Sequence, residues 1–363
     1  MNPQRILRPL AIGIALVSIT IAGSASAGRN DLKLVNLCPQ AATNGLGVPD
    51  CRWIQRDASG SILQQIDANG VRTGVNIDSE GRSNFRSLMS ELGVVMAPRI
   101  LMPADTIGFA GFSVSGEVGF TQISNNKSYW NGVNAVSPQS PDAARPDATL
   151  TTMGGFLRKG IWFPVPSFEI GGGVVNLLDS QMLSWQGYAK FALHEGFHDL
   201  PFPSLAVRAA VAYLTGTDQV SLQTTSLDVL ISKAFGVLKT VRIEPYGGWS
   251  LLMIKARGKT IDFTPLCDSR QAEQTTSGQQ SGNCAIAQSG TKNDYLANAP
   301  FPGQDVITRY RVFGGAKLKF GILAVVAQYE LYLAGHSRDE NQISTVDQSG
   351  RQSAFSLSTG LEF

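Results

Sequence analysis

The last residues of this chain alternate without a break. Phe355, Leu357, Thr359, Leu361 and Phe363 fall on one side, and Ser356, Ser358, Gly360 and Glu362 on the other. Neighbouring side chains of a β-strand point to opposite faces, so the run describes a strand with one apolar face. That face continues to the final position, where chains ordinarily turn polar and fray unless something ties them down. A strand left with an open edge is also a template for aggregation. The expectation is therefore a strand paired on both edges, which a sheet closed on itself provides by setting its last strand against its first.

Composition sharpens this. Hydrophobic residues make up 43% of the chain and charged residues 16%, against about 25% charged in an ordinary soluble domain. Past Ile21 no apolar run is long enough for a membrane helix,. A membrane barrel hides its hydrophobicity at every second position, which fits both observations. A secreted soluble β-sandwich is the competing reading. From Thr106 onward the alternation marks strand-like stretches at 106–123, 148–161, 166–176, 181–193, 204–215, 218–236, 240–255, 305–319, 321–334 and 352–363. Their connections alternate between two sides, and the three longest, 124–147, 257–304 and 335–351, all fall on the side away from the C-terminus, as expected of extracellular loops. In 218–236 the apolar parity switches between Val220, Leu222 and Leu227, Val229, Ile231. Either a bulge near Thr224–Ser226 or two shorter strands would account for it.

The terminal run resembles the closing strand of bacterial outer-membrane β-barrels, where a final Phe preceded by alternating apolar positions and an upstream Gly is the insertion signal. Gly360, Leu361 and Phe363 are the matching residues. The resemblance implies an all-β fold, an antiparallel transmembrane barrel of about ten strands within a range of eight to fourteen, covering residues 106–363. It also implies contact with outer-membrane lipid, insertion by the barrel assembly machinery, and residence in the outer membrane of a Gram-negative bacterium. The architecture is porin-like, and no characterised subfamily is matched.

The beginning of the chain agrees. Residues 1–27 carry Arg5 and Arg8, an apolar stretch from Leu10 to Ile21, and Ala25-Ser26-Ala27, the pattern of a cleavable signal peptide,. The competing reading, an anchoring helix, has too short a run. Removal of the signal takes two arginines from 30 basic residues, leaving 28 against 28 acidic ones. A neutral chain without basic blocks argues against nucleic acid as a partner. Cys38 with Cys51 and Cys267 with Cys284 are the expected disulfides of an exported protein,. Residues 28–105 are polar with many turn signals, apart from a helical spacing of Phe85, Leu88, Met89 and Leu92 before Gly93,. They read as a periplasmic or plug segment, with Val94–Met102 as a candidate extra strand.

Chemistry is sparse. His194-Glu195-Gly196-Phe197-His198 has the spacing of a zinc protease motif, but that chemistry needs a helix, and Gly196, Pro201 and Pro203 favour a turn. No cofactor, catalytic residue or metal site is expected, and the chain is read as no enzyme. The informative set is the charge at inward positions: Glu117, Glu169, Asp228, Glu244 and Glu330 against Lys190, Arg208, Arg242, Arg309, Arg311 and Lys317. Two readings follow. These residues line a small water-filled passage for a small solute, with Arg309 and Arg311 as a positive stripe, or they pair across the lumen of a closed structural barrel that acts through its extracellular loops.

Overall fold

The computed structural model describes residues 28–37, 53, 55, 58, 63–66, 68–70, 72–134, 146–162, 167–195, 202–237, 241–262, 298–301, 305–335, 338–340 and 343–363. Cys38, Cys51, Cys267 and Cys284, with the two expected disulfides, lie outside the described residues, as do Phe163, His198 and His336.

Ten long strands follow one another: β1 (Phe112–Gln122), β2 (Thr149–Ile161), β3 (Phe168–Leu177), β4 (Leu183–His194), β5 (Ser204–Thr215), β6 (Val220–Ser232), β7 (Val241–Gly258), β8 (Ile307–Phe320), β9 (Leu323–Tyr332) and β10 (Gln352–Glu362). Each pairs antiparallel with its neighbours in sequence, and β10 pairs with β1 from Ala354 opposite Thr121 to Glu362 opposite Ser113. Every long strand thus has both edges occupied, and the sheet is a closed barrel without a free edge. The final residue is held: Phe363 N–H donates to the Phe112 carbonyl at 2.8 Å, and Phe112 N–H donates back at 3.0 Å.

The strand faces follow the alternation. On β9, Leu323, Tyr329 and Leu331 are exposed while Ala324, Val326, Gln328, Glu330 and Tyr332 are buried. On β5, Leu205, Val207, Val211 and Tyr213 face out, and Ala206, Arg208, Ala210, Ala212 and Leu214 face in. This is a barrel with an apolar exterior and a mixed interior, the inverse of a soluble protein. At the end bearing the C-terminus, Trp162, Phe320 and Phe363 stand 65, 62 and 64% exposed. Phe112, Phe202 and Phe235 are exposed there too, and aromatics in such a ring suit the level of lipid headgroups.

Three sequence expectations are corrected. The first strand starts at Phe112 instead of Thr106. Val94–Met102 is no strand, because Val94 and Val95 complete the helix α1 (Ser79–Val95) and the following residues make no ladder. β6 runs without a bulge or a break, in continuous register against β5 and β7. Its change of apolar parity has another cause. Val220 and Leu222 point inward at the loop end, where the interior is greasy, whereas Leu227, Val229 and Ile231 point outward.

That greasy interior is made by α1. Asp78 caps the helix by accepting from Gly81 N–H at 2.8 Å,. Phe85, Leu88, Met89 and Leu92 pack with inward Leu150, Leu214, Val220, Leu222, Ile254 and Ile307 of the wall. Phe85 stacks on Phe301 with ring centroids 4.7 Å apart. The helix passes through Gly93, where a Cβ would lie 2.6 Å from the Ile254 side chain, so the missing side chain lets α1 approach β7. Its polar side is bonded as well, with Ser83 and Ser87 hydroxyls accepting from Val346 and Gln348 N–H. A segment whose helix is too small for its own core has borrowed one from the barrel.

Candidate functional site in the barrel lumen

Residues 28–34 sit among the connections at the loop end. Asn30 N–H donates to Asp179 O, Lys33 N–H to Gly132 O and Leu34 N–H to the Gln219 side chain. After α1 the chain runs down the lumen. It meets β4 at Ser184, Gln186, Lys190 and then Glu195 just beyond it, while advancing from Met96 to Thr106. It therefore spans β4 from Ser184 to Glu195 without helix or strand of its own, bending at Ala97, Met102, Ala104 and Asp105 on the way.

The wall grips this strap by its backbone. Carbonyls accept from inward donors: Met96 from Ser184, Ala97 from Gln186 at 3.2 Å, Pro98 from Arg311 at 3.1 Å, and Arg99 from Arg208. Leu101 accepts from Arg158 at 3.2 Å, and Pro103 and Asp105 from Lys190 at 3.2 and 2.8 Å. Amides donate to inward acceptors: Arg99 to Gln186 at 2.8 Å, Ala104 to Ser232 at 3.1 Å, Thr106 to Glu195 at 2.9 Å and Ile107 to Glu169 at 3.0 Å. Cations and neutral donors meet carbonyls, and carboxylates and neutral acceptors meet amides, as a buried polar chain requires. Leu101 lies in the left-handed region at φ 35°, the one such residue within 96–107.

The charges bonded to the strap also pair with one another. Asp228 takes Arg208 at 2.6 Å and Arg311 at 3.1 Å, and Arg311 is 3.8 Å from Glu330. Lys190 lies 3.3 Å from Glu169, and Arg158 lies 3.0 Å from Glu117. Of the inward set read from the sequence, Glu117, Glu169, Lys190, Arg208, Asp228, Glu244, Arg309, Arg311 and Glu330 are buried within the barrel. Arg309 and Arg311 alternate on β8 but do different work. Arg311 meets acids, while Arg309 bonds Ser90 of α1, Ser349, and the carbonyls of Leu333 and Gly350.

Arg242 and Lys317 sit at the terminal end. Arg242 reaches Asp105 at 2.7 Å and Glu244 at 3.4 Å, and Lys317 reaches Glu362 at 2.6 Å. With Thr106 and Lys319 these groups line a space of about 40 Å³ where the strap leaves the barrel, room for water and not for a solute.

The sequence reading missed Arg158, Gln186, Glu195 and the strap residue Arg99. Arg158 shares its parity on β2 with Leu150 and Phe156, so alternation could have found it. Arg99 has no such signal. Its guanidinium bonds Ser356 at 3.0 Å and Thr152 on the wall. Glu195 belongs to the protease-like spacing, but it lies just past the end of a strand and its carboxylate accepts from Thr106 and Ser167. Among the described residues no group of His, Cys, Asp and Glu could hold a metal.

At the loop end Glu91 accepts from Tyr129 at 2.7 Å, Trp130 Nε1 at 2.7 Å and Ser124 N–H at 3.0 Å. Burial, reinforced by the Glu91 carboxylate, holds the Tyr129 hydroxyl well above the usual tyrosine pKa,.

Neither a family model nor a curated protein sequence matches the chain. Solved structures with a similar outline are barrels of outer membranes. The translocator domain of autotransporter NalP from Neisseria meningitidis aligns at 10% identity, TM-score 0.31, over 71% of this chain and 89% of that one. The N-terminal β-barrel domain of Pseudomonas aeruginosa OprF aligns at 12% identity, TM-score 0.23, over 70% and 99%. The outer membrane protease OmpT of Escherichia coli aligns at 7% identity, TM-score 0.27, over 70% and 95%. Likenesses this distant assign no activity. The architecture, a closed antiparallel ten-strand barrel of the outer-membrane type, stands on the strand pairing itself.

Proposed function

We propose that this protein is an outer-membrane barrel kept closed by its own N-terminal segment, and that it acts at the cell surface through the mouth, where residues 28–37, α1 and the described parts of the connections meet. Residues 1–27 serve as the export signal, and Gly360, Leu361 and Phe363 as the motif read by the assembly machinery. The observation that carries the reading is the strap at 96–107, whose backbone is bonded to β4, β5, β6, β8 and β2 side chains around the lumen. An inward charge already bonded to a carbonyl and a carboxylate is not available to a passing ion.

The porin-like reading, passage of a small solute along Arg242, Arg309, Arg311 and Glu330, survives as one in which the strap first leaves. What favours it is the cluster of charged groups, Asp105, Arg242, Lys317, Lys319 and Glu362, around the small space at the strap's exit. Conductance of the refolded mature protein in planar bilayers separates the two readings. The closed reading expects silence from a barrel shown to be folded by heat-modifiable mobility. Discrete steps in the unmodified protein, changed by charge reversal at Arg311, overturn it.

A further inference from the structure

We infer that the lumen is a binding site for an extended, apolar, proline-containing peptide, read mainly through its backbone, and that residues 96–107 are its resident occupant. Three observations carry this. Inward side chains bond seven carbonyls (residues 96, 97, 98, 99, 101, 103 and 105). They also bond four amides (residues 99, 104, 106 and 107). Backbone groups are the same in every peptide, so this part of the recognition is indifferent to sequence.

The second observation concerns the strap's prolines. Pro98 and Pro103 remove two N–H groups that the lumen would otherwise have to satisfy, and they bias the chain toward the extended form in which it is held,. Ligands lacking prolines here would bring two further donors into the buried interior.

Third, the strap's side chains ask for greasiness more than identity. Ile100, Leu101, Met102 and Ala104 are buried against Tyr188, Ala206, Ala210, Leu230, Tyr246 and Phe313. Alanines and aromatic rings form a broad apolar lining, which tolerates hydrophobic exchange at similar volume. The polar exception is Arg99, bound to Ser356 and Thr152. The ligand class is therefore a short extended peptide with two prolines, apolar residues between them, and a basic residue after the first.

The test keeps the full mature chain. A protease site is inserted in the 108–111 turn, outside both strap and strand, and cleaved after folding, so that the strap is no longer covalently joined to β1. A second form adds Ile100→Asp to weaken the resident strap. A fluorescent peptide with the sequence of residues 96–107 is then offered, and binding and bilayer current are followed.

Uptake of the peptide by the nicked forms, with suppression of any current they pass, is the expected result. A peptide with its apolar residues shuffled but both prolines kept should compete within about threefold. One N-methylated at the four bonded amides should compete at least about tenfold worse. Equal competition by the N-methylated peptide, or failure of the shuffled one, overturns backbone reading. Exclusion of all peptides from the folded, nicked Ile100→Asp form overturns the site, while leaving the closed-barrel reading in place.

Discussion

Asp228 is the residue on which the interior charge balance turns, because two guanidiniums, those of Arg208 and Arg311, close on its carboxylate. All three side chains are buried. Removing one member of a buried ion cluster leaves the others uncompensated, which costs about 3–5 kcal/mol. Asp228→Ala is expected to lower the urea midpoint of the folded barrel accordingly, with Asp228→Asn costing less because its one amide oxygen can still accept from a guanidinium,. Tyr129 gives a pH signature at the mouth. Its pKa is raised in the fold by burial and by Glu91, so its contribution is complete below the ordinary tyrosine value of about 10 and is lost as pH rises beyond it. Unfolding midpoints measured between about pH 9 and about pH 11 should fall more steeply for the native protein than for Tyr129→Phe. Equal slopes would mean that Tyr129 has the same pKa in the folded and the unfolded chain.

At the scale of elements, alternation was enough to place all ten strands, because a two-residue period is a local property that each strand carries alone. The glycines of the run 171–173 on β3 have a packing reason. A Cβ at Gly173 would stand 2.3 Å from the Gly155 carbonyl and 2.5 Å from the Phe156 ring, and one at Gly171 would meet the Tyr188 ring. Gly173→Ala is expected to cost about 1–3 kcal/mol, since backbone cannot yield as a side chain does. Gly155→Ala, whose Cβ would have only Ser115 O at 3.9 Å, is the control expected to be tolerated. Similar losses for both would remove the packing explanation. The parity switch in β6 was visible in sequence and misread, because a bulge and a local change of interior polarity leave the same pattern in one strand. The continuous register of β6 and the position of α1 against Val220 and Leu222 separate them.

For the whole molecule, the path of the chain makes a topological statement. Residues 28–34 bond to the connections at the loop end, the strap crosses the lumen, and β1 starts at the end that holds Phe363. In an orientation that puts the C-terminus in the periplasm, residues 28–34 lie on the outer face. An epitope inserted before Gly28 should be reached by antibody on intact cells, whereas one in the turn at Gly321–Ile322 should be reached only after permeabilisation. The reverse pattern would invert the orientation. The sequence by itself determined the barrel, its strand order and most of the inward charges, because strand faces and turn positions are encoded by neighbours a few residues apart. Only the tertiary structure decided that the lumen is occupied. The strap's partners lie tens to hundreds of residues away, from Arg158 with Leu101 to Arg311 with Pro98. A segment gripped by its backbone leaves no side-chain pattern from which its binding site could be read.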